Sequence, residues 1–445
     1  MGRRRLSERL NVFMNGQPVG YWEVGRESRF TYLEEWTSNE GSRPISLSLP
    51  ISALKTSYSG PLVDAFFDNL LPNSDVIRRR IQSRFGTSGT GPFELLSEIG
   101  RDCVGALQLV PENKNPADVN KISGEPLNES GIATTLRQQA GTGNMLGQKD
   151  EEFRISLAGA QEKTALLYRD GIWQRPTGST PTTHIFKRPL GIVGHQGINL
   201  STSLENEWLC LKILEGFGLP VPKCHIESFE QEKSLIVERF DRKLSTDGSW
   251  WIRLPQEDFC QATGSPPGLK YQSDGGPGIR NIATILGGSV TAEEDKATFI
   301  KAQILFWLLA ATDGHAKNFS VFILPKGRFR LTPLYDVIST YPVLGHGTGL
   351  LHPTTIKMAM AVRGTSGNRY KWSTILRRHW INTARDGGLS RLVVETIIDE
   401  IIEQTPNVLS ELEKNLPEGF PDIVADKILG GVRISLSQLK IHDSM

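Results

Sequence analysis

The run KATFIKAQILFWLLAA, residues 296–311, has helical periodicity and is too apolar to end in water. It ends in TDGHAKN and resumes as the strand-like FSVF, residues 319–322. A buried helix that passes through a short polar loop into a strand sets the loop's side chains at the mouth of a cleft, where they cannot pack inward. Asp313, Gly314, His315, Lys317 and Asn318 are therefore the first candidates for chemistry.

Composition sets the frame. With 445 residues, 38% of them hydrophobic and 22% charged, the chain can bury substantial cores, and its length suggests roughly two to four domains. Fifty basic and 49 acidic residues leave a net charge of +1, which removes any whole-chain argument for nucleic acid or an anionic membrane as partner. Cys103, Cys210, Cys224 and Cys260 are scattered without a C-x-x-C pair, so neither a disulfide framework nor a zinc site is legible. The N-terminus MGRRRLSERLNVF lacks the apolar stretch of a signal peptide, and no run reaches the roughly 18 apolar residues of a membrane span. A cytoplasmic location is expected.

Along the chain, LNVFMNG and QPVGYWEV meet at Asn15-Gly16, a hairpin pair. LVDAFFDNLLP reads as a helix stopped at Pro72, and CVGALQLV as a strand. Residues 1–110 thus form a small α/β module. Residues 111–150 are polar and rich in Asn, Gly and Lys, with one short helical stretch near IATTLRQQ, and read as a connector. Residues 151–244 are rich in strand patterns, with a turn at Asp170-Gly171, a helix from about Leu204 to a stop at Gly218, and the strand SLIVERF. Residues 245–445 are dominated by helical periods. No internal repeat is found.

Asp313 precedes Asn318 by five residues, and RLTPLYDVIS supplies Asp336 after another strand-like stretch. Phosphoryl transfer needs such a set: an Asp to orient the acceptor hydroxyl and take its proton, and an Asn with a second Asp to hold Mg²⁺ against the phosphates. The spacing follows the protein-kinase rule. Ala311-Thr312-Asp313 stands in place of H-R-D, and Asp336-Val337-Ile338 in place of D-F-G. D-x-H-x-x-N resembles the loop of phosphoinositide-type lipid kinases. The plainer alternative makes Asp313 a turn cap and His315 a satisfied surface histidine.

A kinase also needs a phosphate cradle and a cation. Ala158-Gly159-Ala160-Gln161-Glu162-Lys163-Thr164 is a small-residue turn between strand-like runs whose N–H groups could face phosphate oxygens, although it is not a Walker A motif. Lys187 in THIFKRP is the counterpart of the lysine that pairs the α- and β-phosphates. SLIVERFDR resembles a kinase hinge, with backbone groups at Glu238 and Phe240 for an adenine edge. A plain hairpin and a solvated strand lysine are the alternatives.

RISLAGAQEKTALL, THIFKRP, VERFDR, RLPQEDFCQ, KYQSDGGPG, ATDGHAKNFSVF and LTPLYDVIS occur in this order. The chain, from about residue 10 to 435, resembles the HipA family, the serine/threonine-kinase toxins of bacterial toxin–antitoxin pairs. The resemblance implies an α+β fold, two-lobed and protein-kinase-like, with a small N-terminal α/β module and a mostly helical C-terminal lobe. It implies ATP and Mg²⁺ as cofactors, Asp313 as catalytic base, Asn318 and Asp336 as metal ligands, and Lys187 as phosphate lysine. Residues Ala158, Gly159, Ala160, Gln161, Glu162 and Lys163 become the phosphate loop, and Ser156 the autophosphorylation site. Glu238, Phe240, His315, Lys317 and Tyr335 are counted with Asn318 and Asp336 among the nucleotide-binding residues.

The resemblance also implies partners: a small helix-turn-helix antitoxin of the HipB kind, operator DNA reached mainly through it, and a protein substrate in translation such as glutamyl-tRNA synthetase. Arg3-Arg4-Arg5, Arg78-Arg79-Arg80 and Arg377-Arg378 are candidate patches for such partners, although short basic clusters are usually solvated helix faces. Two other functions compete. A lipid or small-molecule kinase would call for a basic substrate loop, and STYPVLGHGTGLLHP after Asp336 has no Lys or Arg. A non-catalytic corepressor would be favoured by a broken base or metal site, and Asp313, Asn318 and Asp336 are all present.

Overall fold

The computed structural model describes residues 8–114, 118–139, 157, 161–194 and 196–441. Contacts divide the chain into two compact units: Met1–Arg188 with Glu227–Gly268 and Val321–Phe329, and Pro189–Ile226 with Leu269–Ser320 and Arg330–Met445.

The two largest sheets lie mainly in the first unit. One has five antiparallel strands in the order Ser57–Ser59, Ser28–Tyr32, Gln17–Val24, Glu8–Met14 and Leu107–Pro111. Its central hairpin turns at Asn15 (φ 48°) and Gly16 (φ 78°), the left-handed pair that matches the twist of the flanking strands. Helices Pro61–Asp68 and Pro92–Ile99 each begin on a proline, where the missing N–H costs nothing. Their apolar faces cover the sheet, and Trp22 stacks on Phe67 with centroids 4.0 Å apart.

The other sheet has six strands in the order Cys224–Phe229, Glu232–Glu238, His184–Lys187, Lys163–Arg169, Ile172–Pro176 and Gly124–Pro126. Asp170 (φ 53°) and Gly171 (φ 79°) make the expected turn. The stretch read as a connector supplies the edge strand Gly124–Pro126 and the helix Glu129–Gln139. That helix buries Ile132, Ala133 and Leu136 against Leu166, Phe186 and Ile236, and this docking turns a polar segment into part of a core.

A buried ionic cluster joins the N-terminal module to the segment after the second sheet. The Asp102 carboxylate accepts from Arg242 (2.9 Å), Arg253 Nε (3.3 Å) and the Thr182 hydroxyl (2.8 Å). Asp241 accepts from Arg239 (2.8 Å) and from the Gly105 N–H (2.8 Å). Gly105 has φ 75°, and a Cβ there would lie 2.8 Å from the Gln256 carbonyl oxygen, so a side chain is excluded. Burial alone would raise Asp102, but Arg242, Arg239 and Arg253 outweigh it and hold the carboxyl below the usual range. Beside this cluster Glu257 accepts from the Leu47 N–H (2.7 Å) and the Ser46 hydroxyl (2.5 Å), and burial pushes its carboxyl up to about 8.

The second unit is mainly helical. Ala292–Leu308, the helix expected from the apolar run, packs against Ile279–Leu286, Arg391–Lys414 and Asp422–Leu439. Ser203–Gly216 ends where expected: Gly218 takes φ 74° and the Leu219 N–H returns to the Leu214 carbonyl at 3.1 Å. Residues beyond 245 are less uniformly helical than their periodicity suggests. Trp251–Arg253 and Gln256–Asp258 are short strands of the first unit, and Lys357–Gly364 pairs with Gly367–Lys371 in a hairpin of the second.

Candidate active site

The polar loop begins where the helix Ala292–Leu308 runs out of partners for its last carbonyls. Ala310 takes φ 46°, a left-handed turn that a non-glycine residue holds only under constraint. The constraint comes from the segment just after Asp336. The Ser339 hydroxyl donates to the Leu309 carbonyl (2.5 Å), the Thr340 N–H and hydroxyl to the Ala310 carbonyl (3.0 and 2.8 Å), and the Tyr341 hydroxyl to the Leu308 carbonyl (2.9 Å). Entry to the loop and exit from the second acidic motif are thus one hydrogen-bonded structure.

Inside the loop, Gly314 lies against the Phe306 ring, and a Cβ at that position would be 2.5 Å from a ring carbon. The His315 N–H donates to the Asp313 carbonyl (2.7 Å) and to Asn318 Oδ1 (3.0 Å), while the Asn318 N–H returns to the His315 carbonyl (2.9 Å). Asn318 Nδ2 donates to Asp336 Oδ2 at 3.1 Å. Asp336 has φ 61°, strained backbone of the kind that collects at functional sites. The Tyr335 hydroxyl donates to the Lys317 carbonyl (3.0 Å) and meets the Ser320 hydroxyl (2.5 Å). Asp313, His315, Lys317, Asn318, Tyr335 and Asp336 therefore lie in the same unit, with Asn318 and Asp336 in direct contact.

The electrostatics separate the roles. His315 is buried, and desolvation, followed by the cations of Lys270 and Lys317, brings its imidazole down to about 3. It is neutral near pH 7, so its 3.9 Å approach to Asp313 Oδ2 is not an ion pair. Asp313 keeps 67% of its side-chain surface open. Desolvation within its recess still sets its carboxyl above the usual range; the charge of Asp336 adds to this, while the Tyr271 hydrogen bond and Lys270 oppose it. A carboxylate that is reachable and more basic than usual suits a proton acceptor. Asp336 and Asn318 offer oxygen donors, which fit a hard cation that draws its remaining ligands from phosphates and water.

The residues of the first unit that the family resemblance offers to the nucleotide lie on or beside three neighbouring strands, Lys163–Arg169, His184–Lys187 and Glu232–Glu238. Lys163 stands directly opposite Lys187 in the antiparallel register, so two ammonium side chains share one face, and Lys187 is buried. Gln161 Nε2 donates to the Arg188 carbonyl (2.6 Å), and Glu162 pairs with Arg80 of the helix Asp75–Phe85. Glu238 ends its strand opposite His184, and the next N–H, of Arg239, donates to the Thr183 carbonyl (2.8 Å). Phe240 sets its ring edge-on to Phe322 at 5.9 Å. Ser156, Ala158, Gly159 and Ala160 lie outside the described residues.

Sequence reasoning assigned no role to Tyr271, whose hydroxyl donates to Asp313 Oδ1 at 2.6 Å. The motif KYQSDGGPG drew notice only as part of a family pattern. A tyrosine 42 residues from its partner leaves no local signal.

Residues 155–409 match the HipA-like C-terminal domain, and residues 10–110 the HipA N-terminal domain. The Y4mE protein of Sinorhizobium fredii, named as a candidate kinase, is 31% identical over 439 residues, covering 96% of this chain and 98% of its own. The serine/threonine-protein kinase toxin HipA of Shewanella oneidensis is 28% identical over 320 residues, 69% of each chain. The solved complex of Shewanella oneidensis HipA and HipB with operator DNA includes a chain of the same fold. The TM-score is 0.75 at 20% identity, covering 97% of both chains. The architecture is thus the α+β, two-lobed kinase-like one.

Proposed function

The chain is a member of the HipA family, and from that premise we propose that it transfers the γ-phosphate of ATP to a serine or threonine hydroxyl of a protein. The observation that carries this reading is the Asn318–Asp336 contact at 3.1 Å, set on the same loop system as an accessible Asp313. Asp313 orients the acceptor hydroxyl and takes its proton. Asn318 and Asp336 hold Mg²⁺, which when bound neutralises charge on the phosphates. Lys187, beside Lys163, pairs with phosphate oxygens, and the like-charged neighbours gain from an anion between them. Residues 158–163 cradle the phosphates, and backbone groups at Glu238 and Phe240 take the adenine edge. His315, Lys317 and Tyr335 shape the nucleotide side of the loop.

The same reading extends to regulation and partners. Ser156 is the autophosphorylation site, where about −1.5 to −2 added charges beside the phosphate loop would repel ATP. A helix-turn-helix antitoxin of the HipB kind binds the chain and brings it to operator DNA as corepressor, and the substrate is a protein of translation such as glutamyl-tRNA synthetase. Among the described residues no helix is long and apolar enough to cross a membrane.

The test is phosphoryl transfer from γ-labelled ATP with Mg²⁺ to a protein acceptor, comparing wild type with Asp313→Asn. Transfer should fall by about 10²–10⁴-fold with ATP affinity retained. Equal transfer by the two proteins would refute the assignment.

A further inference from the structure

The Asp313 carboxylate has two oxygens, and the structure treats them differently. Oδ1 accepts the short 2.6 Å bond from the Tyr271 hydroxyl. For Oδ2, the contact among the described residues is His315 Nε2 at 3.9 Å, beyond hydrogen-bond reach. A carboxylate free to rotate would present either oxygen at random. One held by a phenol presents a fixed one.

The tyrosine is itself held. Its carbonyl accepts from the N–H groups of Asp274 (3.1 Å) and Gly276 (3.0 Å), winding residues 271–276 into a tight loop. Gly276 approaches the Leu269 carbonyl so closely that a Cβ would fall 1.9 Å from its oxygen, so the winding depends on glycine. On either side the loop is pinned to its surroundings: the Lys270 carbonyl accepts from the Ala316 N–H (3.3 Å), inside the catalytic loop, and Gln272 Oε1 accepts from the Ala361 N–H (2.8 Å). The Tyr271 ring stands edge-on to His315 with centroids 5.2 Å apart, and Lys270 Nζ lies 4.9 Å from the ring centre. Backbone, ring and hydroxyl are all constrained, which is more than a surface tyrosine needs.

We propose that Tyr271 is a positioning residue for phosphoryl transfer, holding Oδ1 of Asp313 so that Oδ2 is the oxygen offered to the acceptor hydroxyl. This rests on the assignment of Asp313 as the base. Tyr271 touches neither nucleotide nor acceptor in this scheme; it acts through the carboxylate, and the 269–278 segment is the scaffold that keeps it there. Orientation of a reacting group within a few tenths of an ångström governs rate far more than affinity, so the effect falls on turnover.

The experiment uses the full chain with γ-labelled ATP, Mg²⁺ and myelin basic protein as a generic hydroxyl-bearing acceptor, comparing wild type, Tyr271→Phe, Tyr271→Ala and Asp313→Asn. Removal of a hydrogen bond to a charged group should lower kcat of Tyr271→Phe by roughly 10-fold or more. The KM for ATP should stay within about twofold of wild type. Tyr271→Ala should be at least as slow, and ATP binding by calorimetry should be retained in Tyr271→Phe. A structural role for the ring would instead leave Tyr271→Phe at the wild-type rate and slow only Tyr271→Ala, which overturns the proposal. A loss confined to ATP binding overturns it as well. If Asp313→Asn transfers phosphate as fast as wild type, the assignment of the base fails and the role of Tyr271 falls with it. If Asp313→Asn is inactive while Tyr271→Phe is unaffected, only the role of Tyr271 fails.

Discussion

Asn318 Nδ2 donates to Asp336 Oδ2 across 3.1 Å, joining two motifs separated by 18 residues. The bond orients the carboxylate, and the left-handed backbone at Asp336 keeps it near the amide. If these two residues share one Mg²⁺, alanine at either should abolish most of the gain in ATP affinity that Mg²⁺ brings. Affinity for metal-free ATP should change little. Titration calorimetry with and without Mg²⁺ reads both, and an undiminished metal effect in Asp336→Ala would remove that residue from the site.

Gly314 is fixed by the Phe306 ring and not by a special φ. Gly314→Ala places a methyl group where only 2.5 Å is free, so either the ring or the loop must move. Overpacking of this kind costs about 1–3 kcal/mol. Because Gly314 adjoins Asp313, transfer activity should fall more steeply than stability. Parallel denaturant melts and rate measurements check the order; a variant with wild-type stability and rate would contradict the close contact.

The cluster around Asp102 contains three buried arginines and two buried aspartates. Asp102→Ala leaves the buried Arg242 and Arg253 without their central acceptor. Breaking a buried pair from one side costs about 3–5 kcal/mol. The measurable outcome is a lowered denaturation midpoint, with Arg239→Ala and Asp102→Ala far from additive because they share one network. Additive losses would mean the groups act independently.

Glu257 gives a pH signature. Its carboxyl is raised to about 8 in the folded chain against about 4.5 when unfolded, so between these values the folded state binds more protons. Stability contributed by the protonated form is therefore present below about pH 4.5 and is lost as pH rises through about 8. Glu257→Gln keeps an acceptor for the Leu47 N–H and cannot ionise. Its stability relative to wild type should rise across that window, by up to a few kcal/mol on the order of the shift. Matched denaturant curves at pH 5 and pH 8.5 compare the two; a constant difference would show that Glu257 stays ionised when folded.

What the sequence disclosed was mostly local. Asn15-Gly16 and Asp170-Gly171 turn their hairpins because the needed backbone angles belong to those residue types, and Gly218 stops its helix for the same reason. The five-residue step from Asp313 to Asn318 is likewise readable, since one short loop must carry both. Tyr271 and Asp102 were not legible as partners of anything. Arg239 lies 137 residues from Asp102 and Arg253 lies 151, and only the fold brings them within hydrogen-bond distance. The helix Glu129–Gln139 was expected near IATTLRQQ, but its place in a core was hidden, and so was the strand Gly124–Pro126, for a related reason: the few apolar residues of the helix gain stability from the sheet they dock on, not from their own pattern.

The caps that Ser339, Thr340 and Tyr341 place on the end of the helix Ala292–Leu308 have a consequence for divergence among relatives. They close the chain into a ring between Leu308 and Tyr341, so the spatial relation of Asp313 to Asp336 is set at the clasp and not by counting residues around the loop. Added length in such a loop costs only slowly growing entropy. Insertions and deletions in the turn 324–328, between the strands Ser320–Ile323 and Phe329–Leu331, are therefore cheap to the acidic motifs, whereas one residue added within 313–318 or 336–341 shifts a ligand or a cap. Distant members of the lineage should preserve those two internal spacings while the interval between them drifts.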